Sequence, residues 1–318
     1  MNQQTRLILV EGVPFTGKST TSEYVTTQLE LNGHAAHWVS EGVMLQHHFP
    51  NVMAVLDRQQ IVAESALRAE WHVFVEDVQA ATSIFVVDSA LSYAAVDPLL
   101  MEDRPLAAIH AELRHIAELC ATLQPRVIHL TGDVERLVPA SIVERGAGWQ
   151  QHMVEQAEAT PYQQARGRTG VAGATRLQHD SQELLRAVLA QDGWPTLTLD
   201  VTGSDRTTHQ RAILDFLGLD EAQIERPVLD RSLLQAYVGT YTTDDPERVN
   251  KLLFVRLEED TLTLHTSNQR YGPLVPVSTT RFHLQASPLD LEFVVEPGLT
   301  RALTLLTSDG KTHSYRRA

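Results

Sequence analysis

Residues Gly12-Val13-Pro14-Phe15-Thr16-Gly17-Lys18-Ser19 place two glycines, a lysine and a hydroxyl at the spacing G-x-x-x-x-G-K-[ST]. Glycine lets a backbone turn tightly and approach an anion without a Cβ in the way. The amides between Gly12 and Thr20 would then converge on phosphate oxygens, with the positive end of a following helix behind them. Lysine at this place reaches the outer phosphates, and the hydroxyl of Ser19 is suited to Mg²⁺. The chain has only three lysines, Lys18, Lys251 and Lys311, so the one lysine in the first 250 residues stands where this chemistry needs it. Average composition yields such a match by accident in roughly one chain of this length in a hundred.

Two carboxylates and three arginines extend the chemistry. Glu41 closes the run AAHWVSE, and Asp88 closes the apolar run IFVVD. At the carboxyl edge of a parallel sheet both would lie beside the loop. There one would organise Mg²⁺ and the other would accept a proton from a hydroxyl nucleophile. The competing readings are a turn cap for Asp88 and a solvated strand end for Glu41. Arg145 in VERGAGW and Arg166 and Arg168 in ARGRTG have the composition of a cationic flap that closes over phosphates. Each has a bland alternative. Arg166 and Arg168 would suit a solvated helix connection, and Arg145 a surface pair with Glu144 or Glu155.

The elements that must hold these residues follow from periodicity. Strands are predicted over 5–11, 35–41, 84–88, 126–130 and 197–201. Helices are predicted over 19–31, 57–80, 105–123, 149–164 and 177–189, with one after Asp133 and a closing one to Leu217. Alternating strand and helix predict an α/β fold, a parallel sheet of about five strands with helices on both faces. Near residue 220 the pattern changes. Residues 221–231 contain Pro227 and read as a linker between a first domain, 1–220, and a second, 232–318. The second has short alternating runs: KLLFVRLE, TLTLHTS, RFHLQAS, LEFVVE and RALTLLTS. Glu259-Asp260, Ser287-Pro288, Pro297-Gly298 and Asp309-Gly310 punctuate them, which predicts a small antiparallel β-barrel or sheet.

The stretch EGVPFTGKSTTSEYV, with Glu11 directly before the loop, resembles the thymidylate-kinase and deoxynucleoside-kinase group of P-loop enzymes. The likeness runs loosely over residues 5–218, through WVSEG, VVDS and VIHLTGDVERL to the arginine segment. ERGAGW and the helices after it are also similar to an uncharacterised bacterial branch of kinase-like P-loop proteins. The resemblance implies ATP with Mg²⁺ as donor and a nucleoside or nucleotide as acceptor. It implies phosphate binding by Lys18, metal binding by Ser19 and Asp88, and a base or substrate contact at Glu41. The group usually has an arginine after the strand-three aspartate, where this chain has Ser89. Ser89, Tyr93, Arg58 and Arg104 are the residues at hand to replace it. LQAYVGTY, residues 234–241, resembles the opening of a lipocalin-like β domain appended to penicillin-binding-protein-like hydrolases; no hydrolase chemistry comes with it.

Composition bounds the partners. There are 26 basic and 40 acidic residues, a net charge of −14, which argues against binding a nucleic-acid polymer. No apolar run has the length of a membrane span, and a cytoplasmic protein is the expected class. Cys120 is the single cysteine, so no disulfide framework or cysteine-rich zinc site is expected. His47-His48 lacks further ligands at metal spacing, and His34 and His37 read as surface groups. On the helix over 57–80, Gln59, Gln60, Trp71 and Phe74 are candidates for an acceptor pocket, with core packing the stronger reading of the two rings. The expected activity is phosphotransfer from ATP (or GTP) to a small hydroxylated or nucleoside-like acceptor. The alternative is a nucleotide switch or slow ATPase that signals through the β domain. For that domain, ligand binding, cover for the acceptor site and homodimerisation are all open.

Overall fold

The computed structural model describes residues 5–58, 63–191, 193–203, 205–267, 269–296, 299–307 and 311–318. The chain divides into two compact units between Ala222 and Gln223. Among the described residues no helix is long and apolar enough to cross a membrane.

The first unit is built on five parallel strands: β1 (Leu7–Glu11), β2 (Ala36–Val39), β3 (Ile84–Asp88), β4 (Arg126–Thr131) and β5 (Thr196–Asp200), in the order β2-β3-β1-β4-β5. β1 and β3 are buried on both faces, as their unbroken apolar runs require. One face carries Leu7, Leu9, Val87 and Val127 against the larger core. The other carries Ile8, Val10, Val86 and Ile128 against Val25 and Leu29 of α1 (Lys18–Leu31) and Ile213 and Leu217 of α11 (Arg206–Leu217). The connection from β1 runs to β2 on one side, and the connection from β3 crosses β1 to β4 on the other. The direction therefore switches between β1 and β3, and ligands of open α/β sheets bind outside the carboxyl ends at such a place.

The helices depart from expectation in instructive ways. β2 ends at Val39, and Glu41 is the first residue of α2 (Glu41–His47) rather than a strand end. Ser40 sits in the extended cap position, and an acid in the first turn suits the helix dipole. α3 (Pro50–Arg58) opens on proline, and α4 (Glu64–Ala80) begins well after Asp57. The predicted single helix over 57–80 is thus corrected. Gln59, Gln60 and Ile61 lie outside the described residues. Trp71 and Phe74 of α4 are fully buried, with Trp71 edge-on to both Phe49 and Phe74 and Phe74 tilted against Phe49, so they belong to the core. After β3 the chain winds through a π-helical turn (Ser92–Val96) into α5 (Asp97–Met101). α6 (Leu106–Cys120) packs against α4 and the π-helical turn, with Cys120 buried and its thiol pushed up to about 12 by desolvation. Asp133 caps α7 (Val134–Arg145), accepting from the Glu135 amide at 3.1 Å. The predicted helix over 149–164 is two helices, α8 (Ala147–Glu158) and α9 (Pro161–Ala165). Thr160 caps the second, and Pro161 opens it. α10 (Gly170–Gln191) starts earlier than predicted, which shortens the Arg/Gly connection.

The second unit opens with α12 (Arg231–Tyr237) and closes eight antiparallel strands into a barrel. These are β6 (Gly239–Thr242), β7 (Leu252–Glu258), β8 (Thr261–His265), β9 (Arg270–Pro276), β10 (Arg281–Leu284), β11 (Leu289–Glu296), β12 (Leu299–Thr307) and β13 (Thr312–Arg317). Sequence runs suggested five of them; β6, β9 and β13 have weaker alternation. The expected turns Pro297-Gly298 and Asp309-Gly310 lie outside the described residues. Tyr237, Tyr241, Phe282 and Phe293 fill the interior, with Tyr237 stacked on Phe293 at 4.5 Å between centroids. Each tyrosine hydroxyl is bonded, Tyr237 to the Thr279 carbonyl and Tyr241 to the Tyr237 carbonyl. The small residue at Gly239 serves close approach rather than a bend: a Cβ there would lie 2.9 Å from Arg317 Nε. That guanidinium donates to the carbonyls of Ala236 and Val238.

Candidate functional site

The loop between β1 and α1 lies at the reversal point of the sheet. Gly12 has φ +149°, and a Cβ there would meet the Leu130 carbonyl oxygen at 2.3 Å and Thr16 Oγ1 at 2.7 Å. Only glycine fits such a position. Gly17 has φ +87° and leads directly into α1. Phe15 is also left-handed, φ 72°, which is costly for a residue with a side chain. Its ring is held in exchange: Trp149 packs edge-on at 4.8 Å, and the Arg145 guanidinium lies 4.5 Å from its centroid.

Lys18 is nearly fully buried, 6% exposed, and its ammonium donates to the Val13 carbonyl at 3.2 Å. The Thr16 hydroxyl donates to the same carbonyl at 2.9 Å. The cation is thus curled inside the turn, where a phosphate would compete for it.

Register places the carboxylates. Val10 pairs with Asp88, so Asp88 stands beside the start of the loop. Val39 pairs with Val87, which sets Glu41 two residues beyond the neighbouring strand end. Asp88 is fully buried, and neither of its oxygens has a hydrogen-bond partner. Burial pushes its carboxyl up to about 6. The Ser19 side chain, the Glu41 backbone and the Lys18 charge pull it back down without closing a hydrogen bond to either oxygen. Asp88 is therefore not a turn cap. A buried carboxylate with two unused acceptors beside a serine hydroxyl fits a hard divalent cation.

Three further groups complete the surroundings: Glu11 and Asp97, which sequence reasoning did not assign, and Tyr93, which it offered only as a stand-in for the missing arginine. Glu11 lies on the opposite face of the sheet, fully buried. It accepts from the amides of Leu91 (2.8 Å) and Ser92 (3.0 Å) and from the Ser92 hydroxyl (2.7 Å). It thereby ties the loop's root to the start of the π-helical turn. That turn carries Tyr93, whose phenol feels the charges of Glu41, Asp97 and Asp88 and, with opposite sign, Arg145. The negative field of Glu41, then burial, holds the phenol well above its ordinary range. Asp97 is 8% exposed, bonded by the Ser181 hydroxyl of α10 and raised by burial to about 6. Trp71 Nε1 donates to the Ala94 carbonyl at 2.9 Å, supporting the backbone where the turn departs from helical geometry. One sequence signal was available: an aspartate four residues after a tyrosine in the otherwise apolar run LSYAAVDPLL.

The arginines separate. Arg145 reaches the loop through Phe15 and Trp149. Arg166 is bonded to Asp103 and lies over the Tyr162 ring; Arg168 is bonded to Asp180, which also takes Tyr162 and Arg176. Of the residues at hand to stand in for the missing strand-three arginine, Arg104 is paired with Glu102 and Glu64. Ser89 is buried, left-handed at φ 66°, with no partner for its hydroxyl. The Arg58 side chain lies outside the described residues. His48 faces Asp77 at 3.3 Å and packs on Phe74.

No family model matches the chain, and no curated protein matches it. Among solved structures, it is similar to an unliganded sugar kinase from a Janibacter species at 14% identity and TM-score 0.37, over 68% of this chain and 95% of that one. It is also similar to the full-length tRNA isopentenylpyrophosphate transferase of Bacillus halodurans at 10% identity and TM-score 0.33, over 68% and 96%.

The buried acid under the loop has a measurable signature. Desolvation raises the Glu11 carboxyl from 4.5 to about 7. Between those values the folded chain keeps a proton that the unfolded chain has released, so rising pH favours unfolding. Below the lower value the effect is absent, and above the higher it is complete. At 1.36 kcal/mol per unit the loss is on the order of 3 kcal/mol. Urea unfolding of the native chain and Glu11→Gln should show the native advantage shrinking by that order from pH 4.5 to 8. A flat difference would mean an ordinary carboxylate at this position.

Proposed function

We propose that the first unit binds a nucleoside triphosphate, ATP or GTP, with Mg²⁺ and transfers its γ-phosphoryl group to a small hydroxylated or nucleoside-like molecule. The observation that carries this reading is the pair formed by the buried Lys18 in a left-handed loop and the unpartnered Asp88 at the adjacent strand end. Lys18 and the loop amides would hold the β- and γ-phosphates, and Ser19 and Asp88 would hold Mg²⁺. Bound there, the ion would neutralise charge on the phosphates. The acceptor oxygen bonds to the γ-phosphorus, and the bond from that phosphorus to the bridging oxygen breaks. The electron pair stays on the diphosphate, and the hydroxyl proton passes to Glu41 or Asp88. Arg145, held over the Phe15 ring, would offset charge on the transferring group.

A second reading has its own support. Arg166 and Arg168 are committed to Asp103 and Asp180, which leaves Arg145 as the described flap arginine facing the loop. A switch often takes its arginine from a partner. One assay separates the readings: labelled ATP and Mg²⁺ with and without a panel of nucleosides, sugars and amino alcohols. The phosphotransferase reading expects label on an acceptor and little free phosphate in its absence. Steady hydrolysis unaffected by every acceptor would establish the switch instead.

A further inference from the structure

A cavity of about 580 Å³ lies in the first unit at the edge of the sheet opposite the phosphate loop. Its walls are the starts of strands: Arg126 opens β4, and Trp194 and Pro195 lead into β5. The sheet is parallel, so the loop after Glu11 is a strand's length away, five residues of β1 at about 3.3 Å each. The remaining wall is one stripe of α6 and its C-cap: Arg114, Ala117, Glu118 and Ala121. That spacing, i, i+3, i+4 and i+7, is a single helix face. Leu113, Ile116 and Cys120 point the other side of the helix into the core. The two alanines leave open the space that larger side chains on the stripe would fill. The opposite wall is pinned, because the Pro195 carbonyl accepts from the Val127 amide of β4 at 2.9 Å.

The wall has its own unsatisfied chemistry. Trp194 is 7% exposed, and its indole N–H has no acceptor among the described residues. A buried donor left unbonded is rare in a folded chain, and a ligand in the adjoining cavity would supply what it lacks. Arg126 is fixed in place: it donates to the Phe216 carbonyl of α11 and lies 5.3 Å from the centroid of that ring. A guanidinium has five N–H donors, and this bond uses one. Arg114 and Arg126 against Glu118 give the described wall a net charge of 2 − 1 = +1, in a chain of net −14. Guanidinium forks match carboxylate and phosphate oxygens, and a flat ring packs well on an indole. Glu118 repels a second anionic group, which disfavours polyphosphates. A cavity of this volume suits a small organic molecule. We propose that it is a second small-molecule site, separate from the phosphate loop, taking a flat ring that carries one carboxylate or phosphate. The ring lies against Trp194 and the anion between Arg114 and Arg126.

The experiment is calorimetric titration of the full chain with 4-hydroxybenzoate and phenyl phosphate, which separate the two anions on one kind of ring. The neutral 4-hydroxybenzamide and inorganic phosphate are the controls for charge and for ring. At least one ring anion should bind one-to-one, about tenfold or more tighter than both controls. Arg114→Glu, a change on the exposed side of α6, should weaken that binding by about tenfold or more. Trp194→Phe keeps a ring and removes only the N–H donor, so it should weaken binding severalfold. Circular dichroism checks that each variant is folded, and either one suffices if the other is not. Lys18→Ala and saturating ATP with Mg²⁺ should leave the affinity unchanged, which sets this site apart from the phosphate loop. Four results overturn the proposal: no saturable heat from either ring anion, a control that binds as tightly, an affinity unchanged in the folded wall variants, or binding lost in Lys18→Ala. The last would move the probe to the phosphate loop, and none of the four bears on phosphoryl transfer itself.

Discussion

Lys18→Ala should lower phosphoryl transfer by roughly a thousandfold or more, in the upper range seen when one preorganised charge is removed. Lys18 is 6% exposed and its ammonium is already inside the loop, bonded to the Val13 carbonyl 3.2 Å away. It needs only to turn from that carbonyl to a phosphate oxygen, a small reorganisation. The variant should stay folded, because the carbonyl it releases still accepts from the Thr16 hydroxyl. Arginine should not rescue it: a planar fork does not reproduce the compact point charge of the ammonium held inside the turn. Rates with a working acceptor and circular dichroism on both variants check this. Transfer within tenfold of the native rate would remove Lys18 from the chemistry.

Asp88→Asn is expected to separate activity from stability. The carboxylate is buried with no hydrogen-bond partner, an arrangement that costs stability once it is ionised. Its folded-state value, about 6 against 3.8, means that the cost grows as pH rises through that interval and is complete above it. The amide variant should therefore melt no lower than the native chain at pH 8, and any advantage should vanish near pH 4. Activity should move the other way, down by about a hundredfold or more, because an amide oxygen carries no charge for Mg²⁺. Melting curves with Mg²⁺ and nucleotide add a check: the native chain should gain, the variant little. Full activity with unchanged Mg²⁺ dependence would place the metal elsewhere.

The parts of this molecule that local chemistry dictates were legible from sequence. The apolar runs LILVE and IFVVD became β1 and β3 because a strand buried on both faces has no other composition. The loop was legible because Gly12 and Lys18 answer demands of backbone and charge made within a few residues. The alternating runs after residue 232 pointed to the barrel, although three strands with weaker alternation were not among them. What depended on long-range packing was hidden. Glu11 looked like a neighbour of the loop, yet it is a buried acceptor for amides some 80 residues away. Asp97 drew no attention, because its importance comes from the π-helical turn and from Ser181 on α10. Glu41 was placed on a strand because Ser40 as a helix cap and an extended residue look alike in a short run. Arg166 and Arg168 read as flap residues by composition, and only the fold reveals their partners Asp103 and Asp180.

The most direct measurement is a calorimetric titration of the purified chain with ATP, and separately GTP, with and without Mg²⁺, using Lys18→Ala as the reference. The account predicts saturable one-to-one heat that needs the metal for full affinity and falls at least tenfold in affinity in the variant. Absence of heat with both nucleotides in the presence of Mg²⁺, from a chain shown to be folded, would contradict it.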